Sequence, residues 1–213
     1  TVTQRTQKKR GRPSFKPKLE TPTEPAFKSL FLIISLTSFV AFGMFSLYGS
    51  LAPSFLKEMI PWHGPAVSGT AIASVLFISG LTQFMLRSLS LHMTLYLGML
   101  LLLLACLALG FTMSTRSSLL FVIADILTGI AHGASLLAAF GLVAKITTPE
   151  NRGPIFSSHL FVGYLGTILP IVSVGLLADA FGLITAVIIF CISMAALVVG
   201  LLFFKIRQDM SYL

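Results

Sequence analysis

The stretch MTLYLGMLLLLLACLALGFTM, residues 93–113, runs for 21 positions without a charged side chain. A helix rising about 1.5 Å per residue needs about 20 apolar residues to cross a hydrocarbon core about 30 Å thick. This stretch meets that requirement, and comparable runs occupy 27–52, 66–86, 119–144, 155–178 and 183–204. The runs are continuous rather than alternating, which favours helices over barrel strands. In lipid every backbone polar group must be bonded within its own segment, which a helix achieves alone. The expected fold is therefore all-α and integral to the membrane, with six transmembrane helices.

Composition agrees. Of 213 residues 55% are hydrophobic and only 10% charged, with a mean hydropathy of +0.93, whereas a soluble domain is about a quarter charged. Cys106 and Cys191 each lie midway along an apolar run, so they read as packing residues rather than a disulfide framework or a metal site. No cofactor and no metal constellation is legible.

Residues 1–26 are basic and Pro-rich and cannot bury enough apolar surface to fold alone, so they are expected to form a disordered leader. They contain no apolar signal-peptide core, and the first residue is Thr, which suggests a fragment or a processed piece. The leader's RGRP, residues 10–13, matches the core of the AT-hook of minor-groove binders. A basic segment just before a membrane helix is more simply a topology determinant or a contact for anionic lipid, so the bilayer is the expected partner and nucleic acid is not.

Positive charge sets the expected orientation. With the leader inside, Arg5, Lys8, Lys9, Arg10, Arg12, Lys16, Lys18, Lys28, Arg87, Lys145, Arg152, Lys205 and Arg207 fall on the cytoplasmic side. Only Lys57 and Arg116 fall outside. Both termini are thus expected in the cytoplasm, with residues 206–213 as a tail and a plasma (inner) membrane as the location.

The fourth run departs from the third in one respect. Within ADILTGIAHGASLLAAF, residues 124–140, it carries Asp125 and His132. Seven helical steps of about 100° return to within about 20° of the start, so the two share a face. Thr128, Gly129 and Ser135 are expected close to the same stripe. His132 is expected near mid-membrane and Asp125 about two turns towards the outside, the depth at which transporters hold substrates and coupling ions. An ionisable group there costs roughly 2.5–3.5 kcal/mol on insertion scales, so it should face other helices or a water-filled cavity. The alternative is helix-to-helix glue. Tyr48, Ser79 with Gln83 at i, i+4, His159 and Tyr164 are further candidates for the same pathway. Runs three and six carry no charge and are expected to face lipid while the other four enclose something polar.

The sequence TTPENRGPIFSSHLFVGYLGTILPIVSVGLLADAFGLITAV, residues 147–187, resembles the major facilitator superfamily of secondary transporters. Pro149, Glu150, Asn151, Arg152 and Gly153 are similar to the P-E-x-R-G loop that follows the fourth or tenth helix there. Gly166, Pro170 and Gly175, then LLAD (176–179) and Gly182, resemble the Gly/Pro-rich fifth or eleventh helix and its G-x-L-A-D-x-x-G ending. The resemblance implies a C-terminal half, helices seven to twelve, with the leader as the central linker and a second six-helix half, covalent or paired, as partner. It implies gating or loop roles for Arg87, Glu150, Arg152 and Asp179, and bending or packing roles for Gly166, Pro170 and Gly175. The loop MLRSLSLH (85–92) departs from the family's gating signature, and the fifth run lacks the glycine pattern of drug/proton antiporters.

The resulting expectation is a non-enzymatic secondary transporter of a small solute, working by alternating access and coupled to a proton or another ion. The alternatives are a non-transporting scaffold or regulatory subunit, and an intramembrane hydrolase. Against the hydrolase, HGAS (132–135) is not a Gly-x-Ser-Gly nucleophile turn and no oxyanion constellation accompanies it. No filter-like ring suggests a channel.

Overall fold

The structure, a computed structural model, describes residues 19–59 and 65–210. These form six helices: α1 (Pro25–Met59), α2 (Pro65–Leu86), α3 (Leu91–Thr115), α4 (Ser118–Lys145), α5 (Arg152–Phe181) and α6 (Leu183–Met210). Each is long and apolar enough to cross a membrane, and the described residues contain no strand. This is the architecture of a multi-pass membrane protein.

Local chemistry sets the helix ends. Pro25 and Pro65 open α1 and α2, where a missing N–H is tolerated. Ser90 and Ser117 cap α3 and α4 by accepting from the N–H groups of Met93 and Leu120. Arg116, at φ 53°, turns the chain tightly between α3 and α4, and Gly182, at φ 84°, is the single residue between α5 and α6. Glycine pays no Cβ penalty there.

Lys28, Arg87, Lys145, Arg152, Lys205 and Arg207 gather at one end of the bundle, and Arg116 lies at the other. We call the first the basic end. Residues 1–18 of the expected leader lie outside the described residues. The rest of it is ordered: α1 begins inside it at Pro25, the Glu20 N–H donates to Ser158 Oγ at 2.7 Å, and Pro22 is buried. The expected tail is also partly helix, because α6 continues to Met210 and Gln208 Nε2 donates to Ser29 Oγ at 2.5 Å. Composition marks where hydrocarbon-compatible sequence stops, whereas backbone hydrogen bonding carries a helix on past that point.

α1 is the axis of the bundle and touches each of the other five helices. Ile33, Ile34, Val40, Ala41, Met44 and Leu47 along it are fully buried. α4 lies beside it, flanked by α2 and α3, and α5 and α6 complete the ring. The helices differ in how far the chain itself encloses them. α1 and α4 are the most enclosed, α3 and α6 are intermediate, and α2 and α5 are the most exposed. Phe77 on α2 is 73% exposed and Leu176 on α5 is 68% exposed. A helix free of charge still packs well when its neighbour offers small residues, and α3 lies along α4 more extensively than any other pair of helices.

Candidate functional site

Asp125 and His132 do share one face of α4, turned towards α2 and α1. Asp125 is 6% exposed and accepts at Oδ2 from Ser74 Oγ at 2.5 Å. His132 is 4% exposed, with Nδ1 at 2.9 Å from Ser79 Oγ. It is wedged against the rings of Phe42 and Phe45 on α1, at centroid separations of 5.8 and 5.5 Å. His132 is the fifteenth of the 28 residues of α4, at its midpoint.

The packing that creates this face depends on absent side chains. A Cβ on Gly133 would stand 2.4 Å from the carbonyl oxygen of Ser79, so α2 and α4 approach to backbone contact beside His132. Three buried polar atoms of α4 have no partner among the described residues: Asp125 Oδ1, His132 Nε2 and Ser135 Oγ. Buried polar groups are ordinarily bonded, so each such atom calls for a reason.

The remaining expected site residues divide. Thr128 faces α1, where Oγ1 donates to Ala124 O at 2.7 Å and lies 3.4 Å from Tyr48 Oη. Tyr48 is fully buried and meets the Phe121 ring, which places it inside the bundle rather than at an interface. Gln83 is half-buried and reaches the site through Ser79, donating from Nε2 at 3.4 Å. Ser135 does not join the Asp125–His132 face. It sits against Gly98 of α3, where an added Cβ would lie 2.8 Å from Ser135 Oγ. Three residues beyond His132 the helix has turned by about 300°, enough to reach a different neighbour. Tyr164 leans on Phe42 but is exposed on α5.

His159 forms a second, separate centre. It is completely buried, with Nδ1 at 3.0 Å from Ser35 Oγ and Nε2 at 3.3 Å from Ser38 Oγ, between the rings of Phe31 and Phe140. Both ring nitrogens are thereby satisfied, so this histidine ties α5 to α1. Ser35 and Ser38, missed in the sequence, sit at i, i+3 on α1, a spacing that puts both on one face.

The expected gating residues lie at the ends and not in the centre. Arg87 is exposed, with its guanidinium 4.3 Å from the Phe84 ring centroid. Glu150 and Arg152 are exposed at the basic end, and Asp179 is exposed in the last turn of α5. A hydrogen bond with Thr148, helped by a backbone hydrogen bond, holds the Glu150 carboxyl below its usual range. The contact is therefore present above the ordinary carboxylate pKa of about 4.3 and is lost only as pH falls through the lowered value.

Of the packing residues, Gly166 is essential to the α1–α5 contact, since a Cβ there would fall 2.1 Å from Phe39 O. Pro170 is buried four residues on and cannot donate to the Gly166 carbonyl, which lies beside Gly43. Gly175 is corrected, for nothing lies within 4 Å of its would-be Cβ.

A further polar cluster was not foreseen. Lys205, only 2% exposed, is paired with Asp209, which accepts from Tyr96 Oη at 2.7 Å. With His92 and Gln208 they border a cavity of about 280 Å³ at the basic end. The i, i+4 spacing of Lys205 and Asp209 was the available sign. No group of three metal-ligating His, Cys, Asp or Glu side chains occurs among the described residues. Compared with protein-family models, with curated proteins and with solved structures, the chain finds no match.

Proposed function

We propose that these six helices are one lobe of a secondary active transporter that moves a small solute by alternating access, coupled to a proton or another ion. The supporting observation is a pair of unpartnered polar atoms, Asp125 Oδ1 and His132 Nε2, buried on the shared face of a central helix. A group committed only to holding helices together would resemble His159, whose two nitrogens both have serine partners. Ionisable residues held inside a membrane bundle mark substrate and proton paths. The resemblance to the major facilitator superfamily in residues 147–187 points the same way and assigns the second lobe to a covalent or paired partner. The broad apolar faces of α2 and α5 suit such a lobe. On this reading the membrane is the plasma (inner) membrane and the basic end faces the cytoplasm.

The first test is the denatured mass of the protein from its native membrane, detected through residues 1–18. A band near twice 23.0 kDa makes the chain half of a twelve-helix transporter. A band near 23.0 kDa requires a paired half, shown by crosslinking. Flux is then measured on the native assembly, as solute-dependent proton uptake into vesicles across a solute panel. Asp125→Asn and His132→Leu are each expected to lower coupled uptake at least tenfold. Wild-type coupled uptake in both variants would end the proposal.

A further inference from the structure

The partners of His132 limit what it can do for a solute. In its neutral form an imidazole carries one N–H and one lone pair, and the hydrogen bond at one nitrogen determines the role of the other. Nδ1 meets Ser79 Oγ at 2.9 Å. That hydroxyl accepts from Gln83 Nε2 at 3.4 Å, one turn further along the same face of α2. Several other serine and threonine hydroxyls donate to a carbonyl of their own helix, as Ser158 does to Pro154 O and Thr128 to Ala124 O. Ser79 makes no such bond among the described residues, so its proton points to Nδ1.

We infer that Gln83 and Ser79 hold His132 in the tautomer that carries its proton on Nε2, making it a hydrogen-bond donor for an acceptor oxygen of the solute, a carboxylate or a carbonyl. The Nε2 atom has no acceptor among the described residues. Its neighbours on α1, Phe42 and Phe45, offer rings and no oxygen. The close α2–α4 contact at Gly133 keeps Ser79 beside the imidazole, so the tautomer is imposed before any solute arrives. Gln83 and Ser79 are thus positioning residues, and Nε2 is the atom that meets the solute. The solute class rests on the transporter reading, while the tautomer does not.

The experiment is nitrogen-15 NMR of histidine-labelled protein, kept as its native assembly in lipid nanodiscs, with the His132 signals assigned by their loss in His132→Asn. The expected spectrum has a pyridine-like Nδ1 and a pyrrole-like Nε2 for His132, and a pyrrole-like Nδ1 would overturn the inference. Ser79→Ala should give a mixture of tautomers with the His159 lines unmoved, and Ser79→Thr should restore one tautomer. A single unchanged tautomer in Ser79→Ala would remove Ser79 from the role, and displaced His159 lines would direct the reading to Gln83→Leu, which must also broaden the tautomer distribution. Titration with benzoate should shift Nε2, and equimolar benzylammonium should not. An Nε2 line unmoved by benzoate, or moved only by benzylammonium, sinks the acceptor-oxygen class. The expected tautomer in a protein that moves no solute would sink the transporter reading alone.

Discussion

At the scale of single residues, the two buried histidines show how similar chemistry serves different ends. His159 has a hydroxyl for each ring nitrogen, both from α1. Removing those hydroxyls in Ser35→Ala with Ser38→Ala should leave the buried imidazole unpaired and cost about 1–3 kcal/mol, read by unfolding in mixed micelles. Adding His159→Leu to that pair should recover much of the loss, because an apolar site with no polar partner has nothing left to satisfy. His132 should behave differently, since one of its nitrogens is already unpaired. His132→Leu leaves Ser79 with Gln83 as its partner and is expected to cost no more than about 1 kcal/mol of stability while lowering coupled uptake at least tenfold. Both histidines were visible in the sequence as intramembrane ionisable groups. Their difference was not, because the serines that satisfy His159 come from a helix more than 120 positions away.

At the scale of helices, close approach separates glycines that look alike in the sequence. Gly166→Ala places a methyl 2.1 Å from the Phe39 carbonyl, so α1 and α5 must part. Overpacking of this kind costs about 1–3 kcal/mol. Gly175→Ala, with no atom within 4 Å, should be neutral or stabilising by up to about 1 kcal/mol. Equal losses for the two variants in a micellar unfolding assay would contradict this account of α5. The end of α6 is tied by charge rather than by close packing. Asp209→Asn should cost about 1–3 kcal/mol, because Lys205 is only 2% exposed and loses its ion-pair partner. The cost stays below that of a fully buried pair because Asp209 is itself 44% exposed. Replacing both, as Lys205→Met with Asp209→Leu, should restore most of it.

At the scale of the whole molecule, the separation of charge between the two ends predicts sidedness. In a Cys106→Ala, Cys191→Ala background, Arg87→Cys should react with an impermeant maleimide only from the cytoplasmic face, and Arg116→Cys only from the other. The reverse pattern, or labelling of both from one face, would break the proposed orientation. The same whole-molecule view shows which helices the chain itself covers. The charge-free runs three and six are expected to face lipid, and within the chain α3 packs along α4 while α2 and α5, with Phe77 and Leu176 exposed, are covered least. An apolar side chain suits lipid and a helix interface equally, so hydrophobicity alone cannot tell which surface is covered.

The sequence by itself determined the helix count, the approximate spans, the clustering of charge at one end and the shared face of Asp125 and His132. These follow from hydrocarbon thickness, helical rise and the 100° turn per residue, which need no neighbour. Only the tertiary structure decided that α1 is the axis, that Ser135 meets α3 rather than the polar face, and that Ser79 and Gln83 reach His132 while Ser35 and Ser38 enclose His159. Each of these depends on which helices approach, and at what distance, and that is set by small residues such as Gly133 and Gly166 meeting backbone on a partner far away in the chain.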